Sequence, residues 1–97
     1  MRVIARKTLK DYWQIEPEAE QDLTAWFAEA EAADWKTPAD VKAKYGHASI
    51  LKDGRVVFNI CGNKYRLVTW INYEFHTIYI RFIGTHKEYD AIDAQTI

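Results

Sequence analysis

Apolar and polar positions change period once along this 97-residue chain. Up to about residue 46 apolar side chains recur every three or four residues, and beyond it they alternate. Arg2-Val3-Ile4-Ala5 stands before both regions as a short first strand. Leu9, Tyr12 and Trp13 at i, i+3, i+4 spacing predict a helix. It ends near Ile15, because a residue ahead of Pro17 is biased away from helical angles. Pro17 suits the first turn of the next helix, with Glu18 and Glu20 at the positive end of its dipole. Ala19, Leu23, Trp26, Phe27, Ala30 and Ala33 then form the clearest amphipathic stripe in the chain, and the opposite face is acidic. A third, short helix opens with Thr37 as N-cap, Pro38 at the first helical position and Asp40 in the first turn. Gly46 ends it.

In the alternating half, Lys52-Asp53-Gly54 is a turn signal and 55–60 a strand. Gly62-Asn63 is a tight turn, 64–71 a strand, 72–76 a turn and 77–83 a strand that Gly84 breaks. Thr85-His86-Lys87-Glu88 opens a last short helix with a capping-box pattern. The fold class is therefore α+β, with an N-terminal strand and helices packed on a C-terminal antiparallel sheet and a short C-terminal helix. Because side chains alternate along a strand, Val56, Phe58, Ile60, Tyr65, Leu67, Ile71, Ile78, Ile80 and Phe82 are expected to face the helices. Asn59, Lys64, Arg66, Tyr79, Arg81 and Ile83 fall on the opposite set. If the sheet is continuous, its polar members line an open, concave face, where Val57 and Trp70 add apolar surface.

Residues 1–97 make a single domain. With 48% hydrophobic and 14% aromatic residues, one modest core fills without disulfides. The lone Cys61 cannot form an internal disulfide, and no apolar run reaches membrane-spanning length or follows the pattern of a signal peptide. A cytoplasmic protein with no membrane partner is expected. The net charge of −1 hides a strong segregation: +4 over residues 1–10, −8 over 11–35, +6 over 36–87 and −3 over 88–97. A basic half beside an acidic helix suits a polyanion-binding surface. Chance segregation on a solvated surface is the bland alternative. His47, His76, His86 and Cys61 lack any zinc-ligand spacing, so neither a metal nor another cofactor is expected.

The segments Asn59-Ile60-Cys61-Gly62-Asn63-Lys64-Tyr65-Arg66-Leu67-Val68 and Tyr79-Ile80-Arg81-Phe82-Ile83-Gly84-Thr85-His86-Lys87-Glu88-Tyr89-Asp90 resemble the HigB branch of the RelE-like toxins. The opening Met1–Ala5 and Asp34–Asp40 resemble it too, so the likeness covers nearly the whole chain. The resemblance implies a RelE-like fold and a toxin of a type II toxin–antitoxin system. Its activity would be that of an endoribonuclease, or mRNA interferase, cleaving messenger RNA on the ribosome. Its partner would be a cognate HigA-type helix-turn-helix antitoxin. It also implies an arginine of the middle strand at the scissile phosphate, matched by Arg66. A basic residue and a tyrosine after the last strand are matched by His86 and Tyr89. Val57 and Asn59 stand where other RelE-like toxins often carry lysines, which leaves the general base open.

The chemistry agrees with these positions. Cleavage by 2′-hydroxyl attack needs a proton acceptor, stabilisation of the phosphorane charge and a proton donor for the 5′-oxygen. Arg66, always charged and able to bind phosphate through two N–H groups, suits the second need. His86 is chemically suited to proton transfer. Tyr89, three residues on, shares its helix face. Asn59, Asn63, Lys64 and Arg81 are expected to bind RNA rather than to react. Two other readings stay open. One is a toxin on the RelE/ParE scaffold that inhibits a protein target without cutting RNA. The other is a structural partner protein.

Overall fold

Two kinds of packing meet in the computed structural model, which describes residues 1–97. The helical half supplies α1 (Arg6–Ile15), a 3₁₀ turn (Pro17–Ala19), α2 (Glu20–Ala32) and α3 (Pro38–Lys44). The sheet contains β1 (Arg2–Ile4), β2 (Ser49–Ile50), β3 (Arg55–Ile60), β4 (Tyr65–Asn72) and β5 (Thr77–Thr85), and α4 (His86–Asp90) follows. Strand order is β1-β5-β4-β3-β2. β1 runs parallel to β5 and every other pair is antiparallel. The α+β class and the short C-terminal helix agree with expectation. The two-residue β2 was not foreseen, since Ser49–Ile50 carries no alternating pattern long enough to detect. The third helix stops at Lys44, two residues before Gly46, where the Tyr45 N–H bonds back to the Val41 carbonyl.

The main core lies between the helices and one face of the sheet. Leu9, Leu23, Trp26 and Ala30 meet Val56, Phe58, Tyr65, Leu67, Ile71 and Ile78 there. Phe58 is its aromatic centre, edge-on to Trp26 at 5.3 Å and to Tyr45 at 5.2 Å, and stacked with Trp35 at 6.2 Å. Truncating it removes a ring from three aromatic contacts and leaves a cavity. Phe58→Ala is therefore expected to cost about 3–5 kcal/mol of stability, read as a lower urea midpoint at unchanged slope.

Two expectations about the sheet need correction. The first concerns the end of β5. A bulge shifts the β4–β5 register: Thr69 pairs with Ile80, Val68 with Phe82, and Arg81 is the extra residue. An extra residue reverses the facing of everything beyond it. Ile83 therefore packs on the main core, and Phe82 joins the opposite face. Gly84 does not break the strand. It pairs with Arg66 inside the ladder, and its missing side chain makes room for the Phe82 ring, whose Cζ would lie 2.6 Å from an added Cβ.

The second correction concerns the opposite face, which is not open across its middle. Val57, Val68 and Phe82 form a row there under a second small core. Ala94 is buried over that row, with Leu51, Tyr89, Ile92 and Ile97 around it. The segment after α4 thus lies across the sheet. Partly exposed residues remain on either side of it, beside the buried Gly84. At one end Asn59, Arg66 and Gly84 stand in register; at the other, Arg55, Trp70 and Tyr79 do, with Trp70 and Tyr79 stacked at 4.9 Å.

Candidate active site

Arg66, His86 and Tyr89 lie around the first residues of β4 and the start of α4. Arg66 is held by the preceding turn: Nη2 donates to Asn63 Oδ1 at 2.6 Å and Nη1 to the Asn63 carbonyl at 3.0 Å. A weaker bond runs from Nη1 to the Tyr65 carbonyl at 3.4 Å. Its guanidinium carbon lies 6.0 Å from the centre of the Tyr89 ring, a cation–π distance. These contacts fix the plane of the guanidinium while N–H groups remain for an anion.

α4 is only five residues long, too short to form unaided, and its N-terminus is built for it. Thr85 accepts from the Glu88 N–H at 3.1 Å, and the Thr85 N–H donates to Glu88 Oε1 at 2.8 Å. The expected capping box is present. The His86 N–H donates to the Lys64 carbonyl at 3.0 Å, which ties the helix to the turn before β4. His86 Nδ1 lies 3.0 Å from Asp90 Oδ2, one turn on. Arg66, Tyr89 and His86 are thus linked through one corner, Arg66 to Tyr89 by contact and Tyr89 to His86 by helical spacing. Asp90 was missed as a functional candidate. Its i, i+4 spacing from His86 was the available signal.

The other four candidates are placed differently. Asn63 orients Arg66. Asn59 pairs in register with Arg66 and also borders a cavity of about 410 Å³ between α2, residues 44–48 and β3. None of Arg66, His86 and Tyr89 lines that cavity. The cleavage candidates therefore occupy a surface corner. Lys64 was expected to share Arg66's face, but it lies in the turn before β4 and forms an ion pair with Glu18. The Tyr65 hydroxyl donates to the same carboxylate at 2.6 Å. Arg81 Nε donates to the Ile97 backbone oxygen at 3.2 Å.

The Glu18 network carries a pH dependence. The hydrogen bond from Lys64, then that from Tyr65, lowers the Glu18 pKa. A carboxyl lowered on folding stabilises the fold above its unfolded value of about 4.3. That contribution fades as pH falls through the lower folded value. Lys64, raised first by its bond to Glu18, contributes in the opposite sense: its share holds below the unfolded lysine value and fades at high pH. Lys64→Met is therefore expected to shrink the stability lost between neutral and acid pH. The change is small because both side chains are exposed. Melting temperatures across that range test it. Burial, then the Asp22 carboxylate, pushes the Cys61 thiol up to about 11, so it stays protonated near neutrality. No three His, Cys, Asp or Glu side chains are grouped to hold a metal ion, and no helix is long and apolar enough to cross a membrane.

Residues 19–92 match the HigB toxin family, described as the RelE-like toxic component of a toxin–antitoxin system. The mRNA interferase toxin HigB of Escherichia coli strain K12 is 34% identical over 96 residues, 97% of this chain and 92% of the relative. The proteins named mRNA interferase HigB in Escherichia coli O157:H7 and Shigella flexneri match to the same extent.

Proposed function

Since the chain belongs to the HigB family of RelE-like toxins, the toxic components of toxin–antitoxin systems, we propose that its Arg66 corner cleaves messenger RNA by attack of a 2′-hydroxyl on the adjacent phosphate. The relatives' shared name, mRNA interferase, supports that substrate and an endoribonuclease activity. The observation that carries the site assignment is Arg66 fixed by Asn63 and facing Tyr89, on a helix whose first residue is His86.

In this reading each residue answers one need of the reaction. The Arg66 guanidinium binds two phosphate oxygens and stabilises the charge that grows on them. His86 accepts the 2′-hydroxyl proton. Asp90, 3.0 Å from Nδ1, holds the ring so that Nε2 faces the substrate, and it stabilises the imidazolium that results. Tyr89 donates to the departing 5′-oxygen. The P–O5′ bond breaks as the P–O2′ bond forms, leaving a 2′,3′-cyclic phosphate and a 5′-hydroxyl. Asn59, Asn63, Lys64 and Arg81 contact the flanking RNA, and Lys64 exchanges Glu18 for a phosphate when it does so.

The sequence resemblance supports two finer assignments: the ribosome as the place of cleavage, and a HigA-type helix-turn-helix protein as the neutralising partner. Inducing the chain without an antitoxin is expected to stop growth and to cut transcripts. Primer extension checks this. Arrested growth with transcripts left whole would favour inhibition of a protein target instead.

A further inference from the structure

We infer that Arg55, Arg81 and Gln95 act as a clasp that holds the segment after α4 across the sheet and thereby positions His86 and Tyr89. The catalytic half of this statement rests on the function proposed above; the clasp itself rests on the geometry that follows.

α4 has five residues and no buried ones. Its capping box fixes its first turn, and within the helix its far end has the exposed His86–Asp90 side-chain pair. That end continues into residues 91–97, and three separate parts of the sheet grip them. At the turn before β3, the Lys52 N–H donates to Gln95 Oε1 at 2.9 Å, and Gln95 Nε2 donates to the Lys52 carbonyl at 2.7 Å. This pair of bonds mimics one rung of a strand ladder. From β3, the Arg55 guanidinium donates to the Ile97 backbone oxygen. From β5, Arg81 Nε donates to that same oxygen at 3.2 Å. The bulge gives the second arginine its place, since Arg81 is the extra residue it inserts. Just ahead of these anchors, Ala94 is 7% exposed over Val57 and Val68.

Tyr89 connects the clasp to the chemistry. It packs against the second core that the tail completes, and its ring faces Arg66 at 6.0 Å. A tail released from the sheet would free Tyr89 on one side and leave α4 anchored mainly at its N-terminus, by its N-cap and the His86–Lys64 backbone bond. Arg55 has no direct access to the scissile phosphate. It pairs with Trp70, four residues and about 13 Å along β4 from Arg66. Its effect on cleavage must pass through the tail, which makes it a positioning residue.

The test uses the Arg55→Ala, Gln95→Ala double variant and keeps Arg81, whose assigned contact with RNA would confuse the readout. Hydrogen exchange is followed over residues 86–97, and cleavage is measured on ribosome-bound messenger RNA. The clasp predicts faster exchange across this segment. It also predicts a kcat roughly ten- to a hundredfold lower, with KM changed by less than about twofold because phosphate contacts are intact. Arg55→Lys with Gln95 in place should recover most of the rate. Gln95→Ala alone removes only exposed bonds and stands in if the double variant fails to fold. Unchanged exchange overturns the clasp, and so does lost protection with wild-type kcat. If His86→Ala and Tyr89→Ala also cleave normally, the catalytic assignment has failed separately, and the exchange result alone decides whether the clasp exists.

Discussion

Arg66→Ala is expected to slow messenger RNA cleavage about 10²–10³-fold and to abolish growth arrest, while leaving the melting temperature close to that of the wild type. The rate effect is large because the guanidinium is always charged and is held in place by Asn63. The stability effect is small because its partners, Asn63 and the Tyr65 carbonyl, lie in an exposed turn and at a strand end. Arg66→Lys should recover little. An ammonium cannot reproduce the fork that binds phosphate through two N–H groups. Single-turnover cleavage rates of the three proteins check this, and a wild-type rate for the alanine variant would remove Arg66 from the mechanism.

His86→Ala is expected to cost about 10²–10⁴-fold in rate, and free imidazole added to the buffer should restore part of it. The substitution spares the local fold. The Thr85–Glu88 capping box does not involve the imidazole, and the bond to the Lys64 carbonyl comes from the His86 backbone. Rescue by imidazole separates proton transfer from mere packing, since a ring needed only for shape would not be replaced by a molecule free in solution. Asp90→Asn should give a smaller loss than His86→Ala, because it removes the group that orients the ring and leaves the ring itself.

Much of this fold is legible along the chain because its signals are local. Thr37-Pro38-Ala39-Asp40 announces an N-cap and Thr85-His86-Lys87-Glu88 a capping box, each through four residues, and both are present. Ile15 ends α1 because Pro17 follows it. What escaped depends on partners far apart in sequence. The bulge at Arg81 exists only in the pairing of β5 with β4, so strict alternation put Phe82 and Ile83 on the wrong faces. The tail covers Val57 and Val68 through Ala94 and Ile97, and neither residue carries a pattern that announces where it docks. Gly84 looked like a breaker because its pairing with Arg66 and the Phe82 ring above it are contacts of the folded state.

The candidate site divides the same way. Composition and alternation alone marked Arg66 as an exposed strand arginine. Its assignment to the scissile phosphate came from resemblance to the toxin family, to which the chain is now seen to belong. The supporting contacts needed coordinates. Asn63 as the orienter of Arg66 and Lys64 drawn toward Glu18 are decided by the turn before β4, whereas Asp90, at i, i+4 from His86, carried a local signal that went unread.

The chemistry at the cut ends tests the central claim most directly. Messenger RNA cleaved by the purified chain is digested and its new termini are identified by mass spectrometry. Attack by the neighbouring 2′-hydroxyl predicts a 2′,3′-cyclic phosphate, or the 3′-phosphate it hydrolyses to, beside a 5′-hydroxyl. A 3′-hydroxyl beside a 5′-phosphate would mean that water attacked instead, and the roles given to Arg66, His86 and Tyr89 would not stand.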